Sequence, residues 1–427
     1  MSAGSNQRRL LIISSIAFAV AAGNAAAGGF EKATMWDAKY SALGGAAVSS
    51  VNNSSAIFYN PAGLAFIEAN DMSLHVSPTV TQTNGPAAGD DTYMAGEKNF
   101  VPNAGFTGAY RLNDKLVMGY GVYGAGGASS SYENVTVGSG RFSKTGEYST
   151  DISIIEAGLG LGYQINNNWS VGGTYRLTYV IADINMASAT GPVGGLVGYT
   201  DMSGVNTFGV RLGVMYRSDD DRFGWGLNYR SDIGVEADGK ASYSNGLGKG
   251  GYENKDATVE TALPTQISTG IDYKVATDWT LYGEVTYSKY SSIEQIKFIG
   301  DDLEVEQINT TWDDQYNFRV ATEYTGIDGW ALRAGYIYTV SVVPEEYASP
   351  TFSTPAGAHT FTVGAGTSFM NDKLILDMAA EYNRARNDDV KGGSDLTGTP
   401  DDQGSLAYTG KYDTKAWALH ASLRYMF

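Results

Sequence analysis

Apolar and polar residues alternate one for one over long stretches of this 427-residue chain. In its last twelve residues Trp417, Leu419, Ala421, Leu423, Tyr425 and Phe427 share one parity, and Ala416, Ala418, His420, Ser422, Arg424 and Met426 the other. Successive residues of a strand point to opposite faces, so this segment predicts a strand with one oily side, one mixed polar side and aromatics at its ends. The same period recurs over residues 169–179, 208–217, 330–339 and 374–383, with charges confined to the second face. About fourteen such segments can be traced, each roughly the ten residues that a tilted membrane strand needs.

Two kinds of link separate them. Short polar turns fall at 113–114, 166–168, 218–221, 276–278, 326–329 and 371–372. Long Gly-, Ser- and Asp-rich links fall at about 82–97, 125–150, 183–204, 239–257, 292–311, 341–356 and 387–409. Their alternation is what short periplasmic turns and long outer loops produce, so the predicted fold class is all-β: a transmembrane antiparallel up-and-down barrel of about fourteen strands over 71–427. Trp169, Trp279 and Trp330 directly follow short turns, and Trp225 follows Phe223, where a periplasmic aromatic girdle belongs.

Residues 28–70 break the pattern. They alternate nowhere for long, are rich in Ala, Ser and Gly, and precede the first strand. A barrel of fourteen strands is too wide for its own side chains to fill, so this segment is expected to plug the lumen as a hatch. Ahead of it, Arg8-Arg9, the apolar run Leu10 to Gly23 and Ala25-Ala26-Ala27 have the three parts of a secretory signal, which assigns 1–27 to a leader.

Composition narrows the function. No cysteine occurs, which removes disulfides and thiolate metal sites, and the net charge of −17 argues against nucleic-acid binding. Acidic pairs such as Asp90-Asp91, Asp301-Asp302 and Asp401-Asp402 lack EF-hand spacing and read as solvated loop charge. No Walker-type loop is present, so no nucleotide or other cofactor is expected. His75, His359 and His420 are the only histidines, and His420 with Ser422 reads as strand alternation rather than a hydrolytic pair, so no enzyme is expected.

Certain segments carry a family resemblance. Ser54-Ser-Ala-Ile-Phe-Tyr-Asn-Pro-Ala-Gly-Leu-Ala-Phe66, after a Gly-Gly-Phe30 start, resembles the N-terminal hatch of the FadL family of long-chain fatty-acid and hydrocarbon transporters. Ala262-Leu-Pro-Thr-Gln-Ile-Ser-Thr-Gly270 leading to Trp279, Tyr287-Ser-Lys-Tyr290, Trp330-Ala-Leu-Arg-Ala-Gly-Tyr336 with Val343-Pro344 and His359, and the terminal Tyr425-Met-Phe427 are similar to its later strands. The resemblance implies a monomeric outer-membrane barrel of a Gram-negative cell, assembled through recognition of Phe427. It also implies a hydrophobic ligand, fatty acid or hydrocarbon, taken from outer loops to an inner pocket and released sideways into membrane lipid at a kinked third strand.

Candidate residues follow. Pro61 forces Asn60 towards an extended conformation and so ends any helix through Tyr59, making Asn60-Pro61-Ala62 either a plain terminator or part of a gate. The third strand carries Gly119, Gly121 and Gly124, which weaken pairing and permit a wall opening. By parity the lumen holds Glu156, Arg176, Arg211, Glu284, Arg319, Glu323, Arg333, Asp377, Glu381 and Arg424. Arg176, Arg211, Arg319 and Arg333 could each take a ligand carboxylate or pair with a lumen acid or the hatch. Two other readings stay open: a general aqueous porin, and a non-transporting adhesin or structural barrel.

Overall fold

The computed structural model describes residues 34–89, 92–190, 192–351, 354–391 and 408–427. The expected leader, the first residues of the expected hatch and most of the link 387–409 lie outside these. The described chain forms one closed antiparallel sheet of fourteen spans. The first span is β1 (Asp71–Val76) with β2 (Thr79–Asn84), broken at Ser77-Pro78, and the second is β3 (Asn99–Val101) with β4 (Ala104–Arg111), broken at Pro102-Asn103. Spans three to six are unbroken: β5 (Leu116–Val137), β6 (Lys144–Gln164), β7 (Trp169–Thr190) and β8 (Val193–Arg217). Spans seven to ten pair β9 (Phe223–Arg230) with β10 (Ile233–Asn245), β11 (Tyr252–Leu263) with β12 (Gln266–Ala276), β13 (Trp279–Ser288) with β14 (Gln295–Ile299), and β15 (Gln307–Asn309) with β16 (Gln315–Ile327). β17 (Trp330–Thr339), β18 (Ala358–Phe369), β19 (Leu374–Val390) and β20 (Gly410–Met426) complete the wall. The ring closes where the first span meets the last, through Asp71↔Met426 and Thr79↔Ala418.

The faces sort as the alternation requires. Trp417 and Leu419 are 59% and 65% exposed on the outside, while Ala418, His420 and Ser422 between them are buried inside. Trp169, Trp279 and Trp330 sit exposed at the turn end of the barrel, with Trp169 against Tyr216 and Trp279 against Tyr324.

Three of the expected long loops are corrected. Residues 125–150, 183–204 and 239–257 are mostly strand, interrupted at 138–143, between Thr190 and Val193, and at 246–251. Beyond the bilayer the outer face is wet, so the pattern inverts: Glu133, Asp151, Asp183, Asp201 and Glu236 point out while Tyr132, Tyr148, Val197 and Met202 point in. Polar composition marked the solvent, not the end of the strand. The described residues of the links 292–311 and 341–356 are largely irregular and bury Ile293, Leu303, Val342 and Val343.

Candidate functional site

The hatch is built from two helical turns, Ala38–Ala42 and Ala56–Tyr59, and a 3-10 turn, Pro61–Phe66. The first touches β17 to β20 and the last touches β5 to β8, on the other side of the barrel, so the segment crosses the lumen. Asn60 has an extended backbone (φ −164°, ψ 106°) that ends the second turn, as Pro61 dictates. Its side chain then clamps the hatch: Nδ2 donates to Val48 O at 2.8 Å and to Val214 O of the wall at 3.2 Å, and Oδ1 accepts from Ala62 N at 3.1 Å. Ser170 Oγ donates to Ala62 O at 2.9 Å. Asn60, Pro61 and Ala62 therefore lie where hatch and wall meet.

A layer of paired charge lies beside the hatch. Glu156 accepts from Arg176 Nε at 2.7 Å and Arg211 Nη1 at 3.2 Å, and Tyr123 Oη donates to it at 2.6 Å. Arg211 also donates to Ile57 O at 2.9 Å and covers the Phe58 ring at 4.7 Å. Arg319 pairs with Glu284 at 3.3 Å, and Glu284 in turn accepts from Ala47 N and Val48 N. Arg333 binds Glu323 and, at 2.6 Å, Asp377. The four arginines thus divide: Arg211 and Arg319 line one cavity, Arg176 is joined to Arg211 through Glu156, and Arg333 sits apart between two acids.

A small cavity of about 60 Å³ opens between Phe58 and Tyr59 of the hatch and the wall. It brings the guanidiniums of Arg211, Arg230 and Arg319 together with the carboxylate of Glu284. Arg230 is not among the candidates drawn from the sequence, although Gly224, Gly226, Asn228 and Arg230 share the inward parity of β9. Going outward from this layer the lumen faces turn apolar. Arg176 is followed on its face of β7 by Thr178 and then by Val180, Ala182, Ile184 and Met186, Glu156 on β6 by Ile154, and Arg230 by Ile233 and Val235, all buried. Ten residues of strand, from Arg176 to Met186, correspond to roughly 30 Å of such lining. Below the hatch the surface is different. A second cavity of about 400 Å³ faces the turns and is lined by Lys39, Glu68, Arg217, Asp272, Lys274 and Glu323 among others.

On the third span, Gly119 and Gly121 lie in unbroken ladders on both sides, and a Cβ at Gly119 would come within 2.8 Å of Leu64 of the hatch. Irregularity begins at Gly124. The ladder with β6 skips from Gly124↔Ile155 to Gly126↔Ile154, leaving Ala125 as a bulge, and Gly127 has a φ of 149°. The ladder with β4 stops at Gly105↔Tyr123. Among the described residues the next backbone bond across that seam is Glu97 N to Ser131 O at 2.8 Å. The intervening run Gly124 to Ala128 is small and buried.

Where the last span meets the first, His75 Nδ1 lies 2.7 Å from Ser422 Oγ, which accepts from Ala38 N of the hatch. His420 Nδ1 lies 2.7 Å from Ser77 Oγ and its Nε2 lies 3.4 Å from Glu381, which also accepts from Thr34. His420 and Ser422 are thus bound to the first span and tie it to the last and to the hatch.

Comparisons agree with this architecture. The family model "Outer membrane protein transport protein (OMPP1/FadL/TodX)" matches residues 18–427. The long-chain fatty acid transport protein of Escherichia coli strain K12 is 23% identical over 373 residues, 77% of each chain. The putative outer membrane protein NMB0088 of Neisseria meningitidis serogroup B is 25% identical over 353 residues, 70% of this chain and 74% of that one. Among solved structures, a Pseudomonas aeruginosa FadL homologue superposes with a TM-score of 0.76 at 18% identity, covering 93% of this chain and all of that one. The Pseudomonas putida toluene transporter TodX gives 0.70 at 16%, covering 93% and 99%. With the closed barrel and its hatch, the match over nearly the whole length makes this chain a member of the OMPP1/FadL/TodX family of Gram-negative outer-membrane transport proteins.

Proposed function

We propose that this barrel carries long-chain fatty acids passively across the outer membrane and releases them sideways into the lipid beside the third span. The observation that carries the reading is the small cavity at Arg211, Arg230 and Arg319, set at the foot of an apolar lining. An amphiphile with a carboxylate head and a long tail matches both parts: guanidinium forks hold the head, and each buried methylene contributes about 0.8 kcal/mol. A neutral aromatic hydrocarbon has no use for buried guanidiniums.

Charge blocks the bore below the hatch, and the wall is weakest at one seam. A tail leaving towards the periplasm would have to pass the hatch and then the charged cavity lined by Lys39, Arg217, Asp272 and Glu323. Stripping those charges of water costs far more than a methylene contributes. The seam between the second and third spans lacks ladder bonds from Gly124 up to Ser131, and its lining is small and uncharged. A general aqueous porin is disfavoured by the buried hatch segment across the bore.

Radiolabelled oleate and toluene uptake, in cells with and without the protein, tests the substrate: oleate uptake should depend on it more strongly than toluene uptake. The exit has its own test. Asn99 Oδ1 and Ser131 Oγ lie 3.0 Å apart at the top of the seam, and the chain has no native cysteine. In an Asn99→Cys/Ser131→Cys variant, oxidation should pin the seam between the new disulfide and the Gly105↔Tyr123 pair. Oleate uptake should fall on oxidation and return on reduction. Uptake that ignores the disulfide would rule out release at this seam.

A further inference from the structure

The carboxylate layer and the weak seam meet at one residue. Tyr123 is the last ladder partner of the second span, opposite Gly105, and on its other side it stands opposite Glu156, one pair before Gly124↔Ile155, where the register breaks at the bulge. Its hydroxyl donates to Glu156 at 2.6 Å. Its ring packs at 5.0 Å on Trp36 and 5.3 Å on Phe58 of the hatch. Trp36 in turn fills the space beside Gly105, where an added Cβ would lie 3.0 Å from its ring. Hatch aromatics therefore brace the seam from inside, at the point where its ladder ends.

We propose that Glu156 stands in for the ligand's carboxylate, and that exchange between the two on Arg211 releases this brace, so that an acid head group opens its own exit. The idea rests on the fatty-acid reading above. Arg211 is the shared element: it reaches Glu156 at 3.2 Å, holds Ile57 O at 2.9 Å, covers Phe58, and lines the cavity that would receive the head group. A carboxylate entering that cavity competes with Glu156 for one fork, and the exchange swaps one charge-assisted pair for another of the same kind. Glu156 keeps Arg176 at 2.7 Å, so it is not stranded without a cation. As Arg211 turns to the ligand it leaves Ile57 O and the Phe58 face, and the Phe58, Tyr123 and Trp36 stack loses its clamp. Trp36 can then shift without breaking a hydrogen bond, because its buried Nε1 makes none among the described residues. An alcohol or hydrocarbon of equal length carries no charge to compete with Glu156, and for it the brace stays closed.

The test compares dodecanoate with dodecanol uptake through the full-length protein in proteoliposomes, for wild type and for Tyr123→Phe, which removes the hydroxyl latch and keeps the ring. The wild type should prefer the acid by about tenfold, within the usual range of coupling between two sites. Tyr123→Phe should bring the ratio towards one by raising dodecanol uptake. A wild type that prefers the acid while Tyr123→Phe keeps the same ratio overturns the latch and leaves the fatty-acid reading standing. A wild type that passes toluene but not dodecanoate overturns the fatty-acid reading, and the latch with it. A second measurement does not depend on that variant: tryptophan fluorescence should change on adding dodecanoate but not dodecanol, and the change should vanish in Trp36→Phe. Equal responses to acid and alcohol overturn the proposal.

Discussion

At the scale of single residues, the hatch is held by polar atoms that water cannot reach. Asp37 accepts from Lys39 N at 2.9 Å, Ser55 Oγ at 2.5 Å and Asn53 Nδ2 at 3.3 Å. Burial alone would push its carboxyl up; the charge of His75, the Ser55 hydroxyl and Lys39 outweigh that and hold it below its ordinary value of 3.8. A depressed folded value means a contribution that is complete above the ordinary carboxylate range and disappears as pH falls through it. The hatch should therefore stay seated from about pH 5 to 8 and loosen below about pH 4. Limited proteolysis of the hatch across that range reads this directly. Asp37→Asn should be cut faster at neutral pH and show a flatter acid limb; an unchanged acid limb would remove Asp37 from the anchor. Arg333 gives a separate outcome. Arg333→Ala leaves Glu323 and Asp377 facing each other without their cation, a loss of about 3 kcal/mol that should lower the temperature of the heat-modifiable band shift.

At the scale of elements, the inner wall is shaped to the hatch by glycine. A Cβ on Gly172 would lie 2.3 Å from Pro61 C, and one on Gly213 would lie 1.9 Å from Asn60 Oδ1. The first obstruction is backbone, so it cannot swing aside. Gly172→Ala should cost about 1–3 kcal/mol through overpacking and let vancomycin leak into cells. Gly173, one residue on and facing lipid, would meet Leu212 Cδ2 at 3.5 Å and Arg211 O at 3.8 Å, both ordinary contact distances, so Gly173→Ala should be silent in both assays. Equal behaviour of the two variants would mean that glycine serves the strand rather than the hatch. The strands themselves were legible because lipid on one side and a polar bore on the other impose a period of two. The outer extensions of β5 to β8, β10 and β11 were not, because solvent outside and packing inside keep the period but invert its polarity. Asn60 and Pro61 could be read as a helix stop from local chemistry alone. Their docking against β8 could not, because it joins residues about 150 positions apart, Asn60 to Val214. Arg230 was within reach by parity, whereas the bulge at Ala125 depends on two ladders falling out of step, which one strand's composition does not record.

At the scale of the whole molecule, three layers follow one another along the bore: a charged vestibule by the turns, a hatch with its guanidinium cluster, and an apolar outer chamber. The order gives direction to an amphiphile, since the tail gains by lying in the apolar chamber and the head meets the guanidinium cluster at the hatch. The hatch and the wall bear different loads. Every span has two ladder neighbours and the first closes on the last, so the cylinder does not need its plug for closure. Removing residues 34–67 would free Arg211 from Ile57 O and Glu284 from Ala47 N and Val48 N, but in an emptied bore water replaces those partners at small cost. The deletion variant should still run as a heat-modifiable barrel, conduct ions in planar bilayers where the intact protein does not, and lose its preference for oleate over toluene. A deletion variant with unchanged conductance would place the true barrier in the outer chamber, around Trp312 and Val342, and move the site of selection there with it.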